Sequence, residues 1–278
     1  MTEQEQLSVF DMFKIGVGPS SSHTLGPWKA AHLFLDRIRN GKGIEKVRSV
    51  RIQLFGSLAK TGKGHGTDIA LQLGLCGYDP VTFDITSITP TILGIKEKRK
   101  LLLGGIKGID FDPETDLFFD IAQSLPFHPN ALTATAVFED GDSIDETYYS
   151  VGGGFVTQEN TDKSVTTNPK AFKHSVGNAA DLLRHCDESG ISISQLVWDN
   201  EICLNDEAHL RQGVLNIWKV MMECIYRGCH SKGELPGGLR VTRRAESMNR
   251  KLTEGKQYAD FESWCDVIRS GGDHFKYT

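Results

Sequence analysis

The sequence predicts an α+β N-terminal domain followed by an all-α region, and three observations predict it. Residues up to 157 mix period-two runs with helical ones; residues 158–174 turn polar and aperiodic around Pro169; from there on the periodicity is almost purely helical. The expected division is a domain over residues 1–157, a linker over 158–174 and a helical region, expected to be truncated, over 175–278.

The first element is a helix over residues 24–40, with Leu25, Trp28, Ala31, Leu33, Leu35 and Ile38 near helical spacing and Ser or Thr ahead of it as an N-cap signal. Val47, Val50, Ile52 and Leu54 read as a strand, residues 67–75 as a helix and residues 81–85 as a short strand. Residues 131–139 and 144–151 flank Asp140-Gly141-Asp142, a hairpin turn signal. Strands occurring both singly and in a hairpin favour an α+β layer over strict βαβ alternation. Gly152-Gly153-Gly154 then breaks the strand or lets backbone approach backbone. In the second region Ser175 is expected to cap a helix to Cys186, followed by helices over 193–204, 206–227, 240–252 and 261–268, with Pro236-Gly237-Gly238 as a break.

Composition narrows the function. With 278 residues, 39% hydrophobic and 24% charged, the chain has enough apolar material for a sizeable core. A net charge of -5 argues against nucleic acid or an anionic membrane as partner, because both require clustered Lys and Arg. The mixed-sign run Lys96-Glu97-Lys98-Arg99-Lys100 reads as a solvated helix face. No run approaches the ~18 apolar residues of a membrane span, and the acidic start lacks a signal-peptide core, so a soluble, cytoplasmic protein is expected. The six cysteines are scattered, which favours reduced thiols; Cys224 and Cys229 with His230 lie on a helical run and make a poor metal knuckle.

Three segments carry chemistry. Gly18-Pro19-Ser20-Ser21-Ser22-His23-Thr24 places hydroxyls and an imidazole before a helix start, where free amides and the dipole make an anion or carboxylate site; a plain serine cap is the simpler alternative. Gly56-Ser57-Leu58-Ala59-Lys60-Thr61-Gly62-Lys63-Gly64-His65-Gly66-Thr67-Asp68 follows a strand and opens a helix. It is no P-loop, because five residues separate Gly56 from Gly62 and Gly64 stands in the hydroxyl position. It reads instead as an accessible imidazole, His65, in a tight turn, with Lys63 to attract an anion and Asp68 either orienting the ring or capping the helix. In Pro126-Phe127-His128-Pro129-Asn130 the prolines hold His128 stiffly on a loop. A Ser-His hydrolase lacks its G-x-S-x-G elbow here, and a pyridoxal phosphate enzyme finds only weak support in Lys63.

The blocks at residues 8–24, 56–68, 128–130, 148–155 and 235–239, with Arg243-Arg244-Ala245, resemble the iron-sulfur-dependent L-serine dehydratases (L-serine ammonia-lyases), in the family's order and over nearly the whole chain. The resemblance implies an N-terminal β domain similar to the allosteric substrate-binding domain of certain phosphoglycerate dehydrogenases, then the first part of a helical catalytic α domain. It implies conversion of L-serine to pyruvate and ammonia, with a [4Fe-4S] cluster as Lewis acid on the hydroxyl and a neutral base at Cα. By the family's pattern His65 is the base and His23 and His128 orient substrate or transfer protons. Ser20, Ser21, Ser22, Thr24, Lys63, Thr67, Asp68 and Asn130 are candidates to hold the serine carboxylate and ammonium.

This chain departs from the family's pattern in one respect. In full-length members the cluster cysteines lie later in the α domain, past segments resembling Ala-Pro-Thr-Asn-Gly, and none of the six cysteines here matches such a block. The polypeptide alone is therefore expected to hold no metal ligands and to lack turnover unless a second chain supplies the remainder. Partners expected from the family are L-serine and a second copy in a homodimer. The alternative is a non-catalytic module binding serine or another small anion. An open helical half is also expected to expose apolar surface.

Overall fold

The computed structural model describes residues 7–158, 172–235, 241–254 and 256–270. The expected linker lies almost wholly outside these residues, and so does the Pro236-Gly237-Gly238 break. The architecture is the expected mixed α+β region followed by helices alone.

A four-residue helix α1 (Val9–Met12) begins the described chain, and a π-turn over Ser21–Leu25 leads into α2 (Gly26–Asn40). Next come β1 (Val47–Phe55), α3 (Gly56–Thr61), a 3-10 turn over Gly62–His65, and α4 (Thr67–Leu75). Helix α5 (Ile88–Lys98) precedes the small hairpin of β2 (Lys100–Leu103) and β3 (Lys107–Asp110). Strands β4 (Leu117–Asp120), β5 (Asn130–Phe138), β6 (Ser143–Gly152) and β7 (Phe155–Thr157) complete a five-stranded sheet of order β4-β1-β5-β6-β7. Among the described strands of this sheet, the β1–β4 pairing is parallel and the others are antiparallel.

The core forms where α2 and α4 cover the sheet. Phe34, Leu35 and Ile38 of α2 and Leu71 and Leu75 of α4 meet Ile52, Leu54, Ala134, Ala136, Phe138 and Tyr148 of the strands. Small residues decide how closely the layers approach: a Cβ at Gly74 would lie 2.8 Å from the Ala31 methyl, so α4 rests directly on α2. Val47 and Val50 both point inward although they are three residues apart, because a bulge between Val47 and Ser49 resets the alternation.

Four expectations are corrected. Leu33 is 44% exposed, and Phe34 takes the buried position one residue on, because the buried stripe runs through Ala30, Ala31, Phe34, Leu35 and Ile38. Residues 81–85 are not a strand: the Asp79 carboxylate accepts from the Val81 and Thr82 amides and Asp84 accepts from Thr86, so side chains satisfy the backbone and a 3-10 turn over Ile85–Ser87 forms instead. Asn178, not Ser175, caps α6 (Ala179–Ser189), through the Asp181 amide. Helix α9 (Ala245–Leu252) begins later than position 240, since Thr242 is paired with Glu234 in a β-bridge.

The other helices are α7 (Ile193–Leu204), α8 (Glu207–Cys229) and α10 (Phe261–Ser270), with Ser192 and Asp206 as N-caps of α7 and α8. Helix α8 has 23 residues and buries only Leu210, while Leu215 and Trp218 remain exposed and present apolar surface to solvent. No described helix is long and apolar enough to cross a membrane.

Candidate active site

The site lies where the π-turn, the 3-10 turn and the start of β5 meet. Ser20 opens the π-turn: its hydroxyl accepts from the His23 amide at 3.2 Å and its own amide donates to Thr24 Oγ1 at 3.3 Å. A π-turn ahead of a helix is uncommon, and such irregularities concentrate at functional sites. Thr24, buried, donates to the His65 carbonyl at 2.9 Å, while Thr67 donates to the His23 carbonyl. The two histidine-bearing turns are thus locked by reciprocal threonine bonds, each hydroxyl donating to the other turn's backbone.

This lock brings the imidazole centroids of His23 and His65 to 4.9 Å. The two rings differ chemically. His65 Nδ1 lies 2.9 Å from the Thr61 carbonyl oxygen, which can only accept, so the neutral ring carries its proton on Nδ1 and a lone pair on Nε2. His23 is held at both nitrogens, by Ser22 Oγ at 2.9 Å and Ser57 Oγ at 3.0 Å. Burial, then the nearby His65 charge, push the His23 pKa below its ordinary 6.5 against an opposing contribution from Ser57, which favours a neutral ring.

His128 joins through the backbone. Its Nδ1 accepts from the Asn130 amide at 3.1 Å, leaving Nε2–H as a donor in the neutral ring. Gly56 pairs with Asn130 and the Ser57 amide donates to the Pro129 carbonyl at 2.8 Å, so the residue touching His23 is anchored beside His128. Gly56 sits at φ +54°, and a Cβ there would lie 2.3 Å from the Pro129 oxygen, so only glycine permits this junction. Asn130 Nδ2 donates to the Ser150 carbonyl at 3.2 Å, and Ser150 Oγ donates to the Ser22 carbonyl at 2.7 Å, closing a ring of contacts.

The remaining candidates are placed less centrally. Ser21 is exposed; Lys63 Nζ stands 5.1 Å from the Phe119 ring centroid. Asp68 does not orient His65, because the ring's Nδ1–H donates to the Thr61 carbonyl and no Asp68–His65 hydrogen bond is present. Burial pushes its carboxyl pKa up, and Oδ1 is buried with no partner. Ser57, Thr61 and Ser150 escaped the sequence reading as site residues, although all three lie in or beside glycine-rich blocks singled out there. Among the described residues no three His, Cys, Asp or Glu side chains gather into a metal-binding set, so these residues do not fit a [4Fe-4S] cluster.

The serine dehydratase beta chain family matches residues 8–161, more than half of the chain. The chain belongs to that family. It is similar to the L-serine dehydratase of Streptomyces coelicolor, at 42% identity over 265 residues, covering 94% of this chain and 58% of the relative. It is 41% identical to the L-serine dehydratase of Haemophilus influenzae, covering 88% and 54%, and 38% identical to L-serine dehydratase 1 of Escherichia coli, covering 91% and 56%. The chain thus spans about half the length of the relatives it matches. The matched segment 8–161 contains every histidine of the candidate site.

Proposed function

We propose that this chain supplies the serine-facing half of an L-serine dehydratase, which converts L-serine to pyruvate and ammonia. The observation that carries this is the His65 ring: held at Nδ1 by the Thr61 carbonyl, it keeps Nε2 available to take a proton and lies against a second imidazole. In this proposal His65 Nε2 takes the Cα proton. Loss of the β-hydroxyl as water leaves aminoacrylate, which tautomerises and hydrolyses to pyruvate and ammonia. His128 Nε2–H donates to the substrate, with His23 as a proton relay between two hydroxyls. The Ser20-Ser21-Ser22 turn, Lys63 and Asn130 are proposed to hold carboxylate and ammonium.

The proposed division is a β domain over 1–157, a linker over 158–174 and the start of an α domain from 175. The iron-sulfur cluster is proposed to come from outside the described residues, through further chain or a second polypeptide. The exposed apolar face of α8 supports such pairing or a homodimer, and the proposed location is the cytoplasm.

The test is pyruvate formation from L-serine by the enzyme assembled with its cluster-bearing part. His65→Ala is expected to lower kcat by about 10²- to 10⁴-fold, the usual contribution of a general base. Near-normal turnover would remove His65 from the role, and serine binding without turnover in the assembled wild type would favour a binding module.

A further inference from the structure

The block at residues 8–14 takes no part in the chemistry above, yet Ser8 is buried in it and tied to a residue far along the chain. Its anchor lies in the helical region. Glu201 of α7 is 3% exposed and has no cationic partner among the described residues. It accepts from Ser8 Oγ at 2.8 Å, the Val9 amide at 2.7 Å and Asn205 Nδ2 at 3.3 Å. A carboxylate so deeply buried is costly unless its oxygens are satisfied, and here donors 192 and 193 residues away in sequence satisfy them. One residue on, the Phe10 ring fills the notch over Gly213 of α8, where a Cβ would meet the ring at 2.5 Å.

From this anchor the chain crosses to the site. Lys14 Nζ pairs with Asp11 and lies 5.1 Å from the Phe155 ring centroid at the β6–β7 turn. The Val17 amide donates to the Pro80 carbonyl at 3.2 Å, and three residues later Ser20 opens the turn carrying His23. Residues 8–20 therefore form a strap with one end on α7 and α8 and the other on the histidine turn.

We propose that Glu201 is a positioning residue for the His23–His65 pair: through Ser8, Val9 and the strap it couples docking of the helical region to the arrangement of the site. This builds on the proposed role of the pair but is tested without turnover, so either can fail alone.

Amide hydrogen exchange and histidine ring NMR are recorded on the full chain, wild type, Glu201→Ala and Ser8→Ala. In Glu201→Ala, exchange across residues 8–25 is expected to rise at least tenfold while β1 and β5 keep wild-type protection, and the His23 and His65 ring signals shift. Ser8→Ala, the milder change, should move the same signals in the same direction. Unchanged strap exchange and ring signals in both variants would overturn the proposal. If Glu201→Ala unfolds the chain, Ser8→Ala decides: a local response supports the coupling, and wild-type behaviour refutes it.

Discussion

His23 and His65 face each other with centroids 4.9 Å apart because each turn's carbonyl is gripped by the other turn's threonine. The pair is an electrostatic device as well as a geometric one, since two imidazolium charges cannot be held so close without cost.

The first prediction concerns pH. His23 has a folded pKa below its unfolded value of 6.5, so below that pH the unfolded chain binds more protons than the folded one. Its contribution to stability is complete above about pH 6.5 and falls as the solution is acidified toward the folded pKa. Melting temperature from pH 8 to pH 5 should drop more steeply in wild type than in His23→Gln. Parallel curves would show that the depressed pKa is not expressed.

The second concerns Gly26, the first residue of α2. A Cβ there would lie 1.9 Å from Ser150 Oγ and 2.7 Å from its Cβ, so Gly26→Ala must displace the strand that fixes Ser22. Overpacking of this kind costs about 1–3 kcal/mol. The double variant Gly26→Ala/Ser150→Gly should recover part of that loss, and the coupling energy from denaturant titration measures it.

A contrasting outcome is expected at Gly64, in the His65 turn. Its added Cβ meets nothing within 4 Å. Gly64→Ala should change stability by less than about 1 kcal/mol, in the stabilising direction. A loss as large as that of Gly26→Ala would contradict the open space seen there.

Cysteine reactivity separates a buried thiol from an exposed one. Burial pushes the Cys76 thiol up to about 11, whereas Cys224 is exposed. The thiolate is the nucleophile, so iodoacetamide at pH 8 should label Cys224 within minutes and spare Cys76 until the chain unfolds. Mass spectrometry of the labelled peptides reads this directly; early labelling of Cys76 would show that its site opens freely.

The packing contrast is also measurable. Leu54→Ala in the α+β core should cost about 2–5 kcal/mol, the range for a buried leucine. Trp218→Ala on α8, 53% exposed, should change stability of this chain by under about 0.5 kcal/mol. A large effect of Trp218→Ala would show that the α8 face is covered in solution.

Much of the fold was legible because the signals are local. The bounds of α4 and α7 coincide with the expected 67–75 and 193–204, since apolar spacing, and in α7 the Ser192 cap, act within one or two helical turns. Residues 81–85 misled because β-prone Val81, Phe83 and Ile85 alternate there, yet Asp79 and Asp84 supply acceptors that compete with any strand partner. Leu33 misled because a helix stripe one position off shares most of its residues with the right one.

The three loop histidines were visible from their glycine, serine and proline settings, but their roles were not. Which nitrogen bears the proton depends on Thr61 for His65 and on the Asn130 amide for His128. Both partners are near in sequence, but only the backbone path aims them.

By itself the sequence determined the α+β-then-helix order, the helices whose periodicity and caps agree, and the turns rich in glycine and hydroxyls, all from interactions a few residues in range. Only the tertiary structure decided that His23 meets Ser57 across 34 residues, that Ser150 reaches Ser22 across 128, and that a buried glutamate in the helices holds Ser8 and Val9. Long-range hydrogen bonds arise from packing, and packing is set by how whole layers fit.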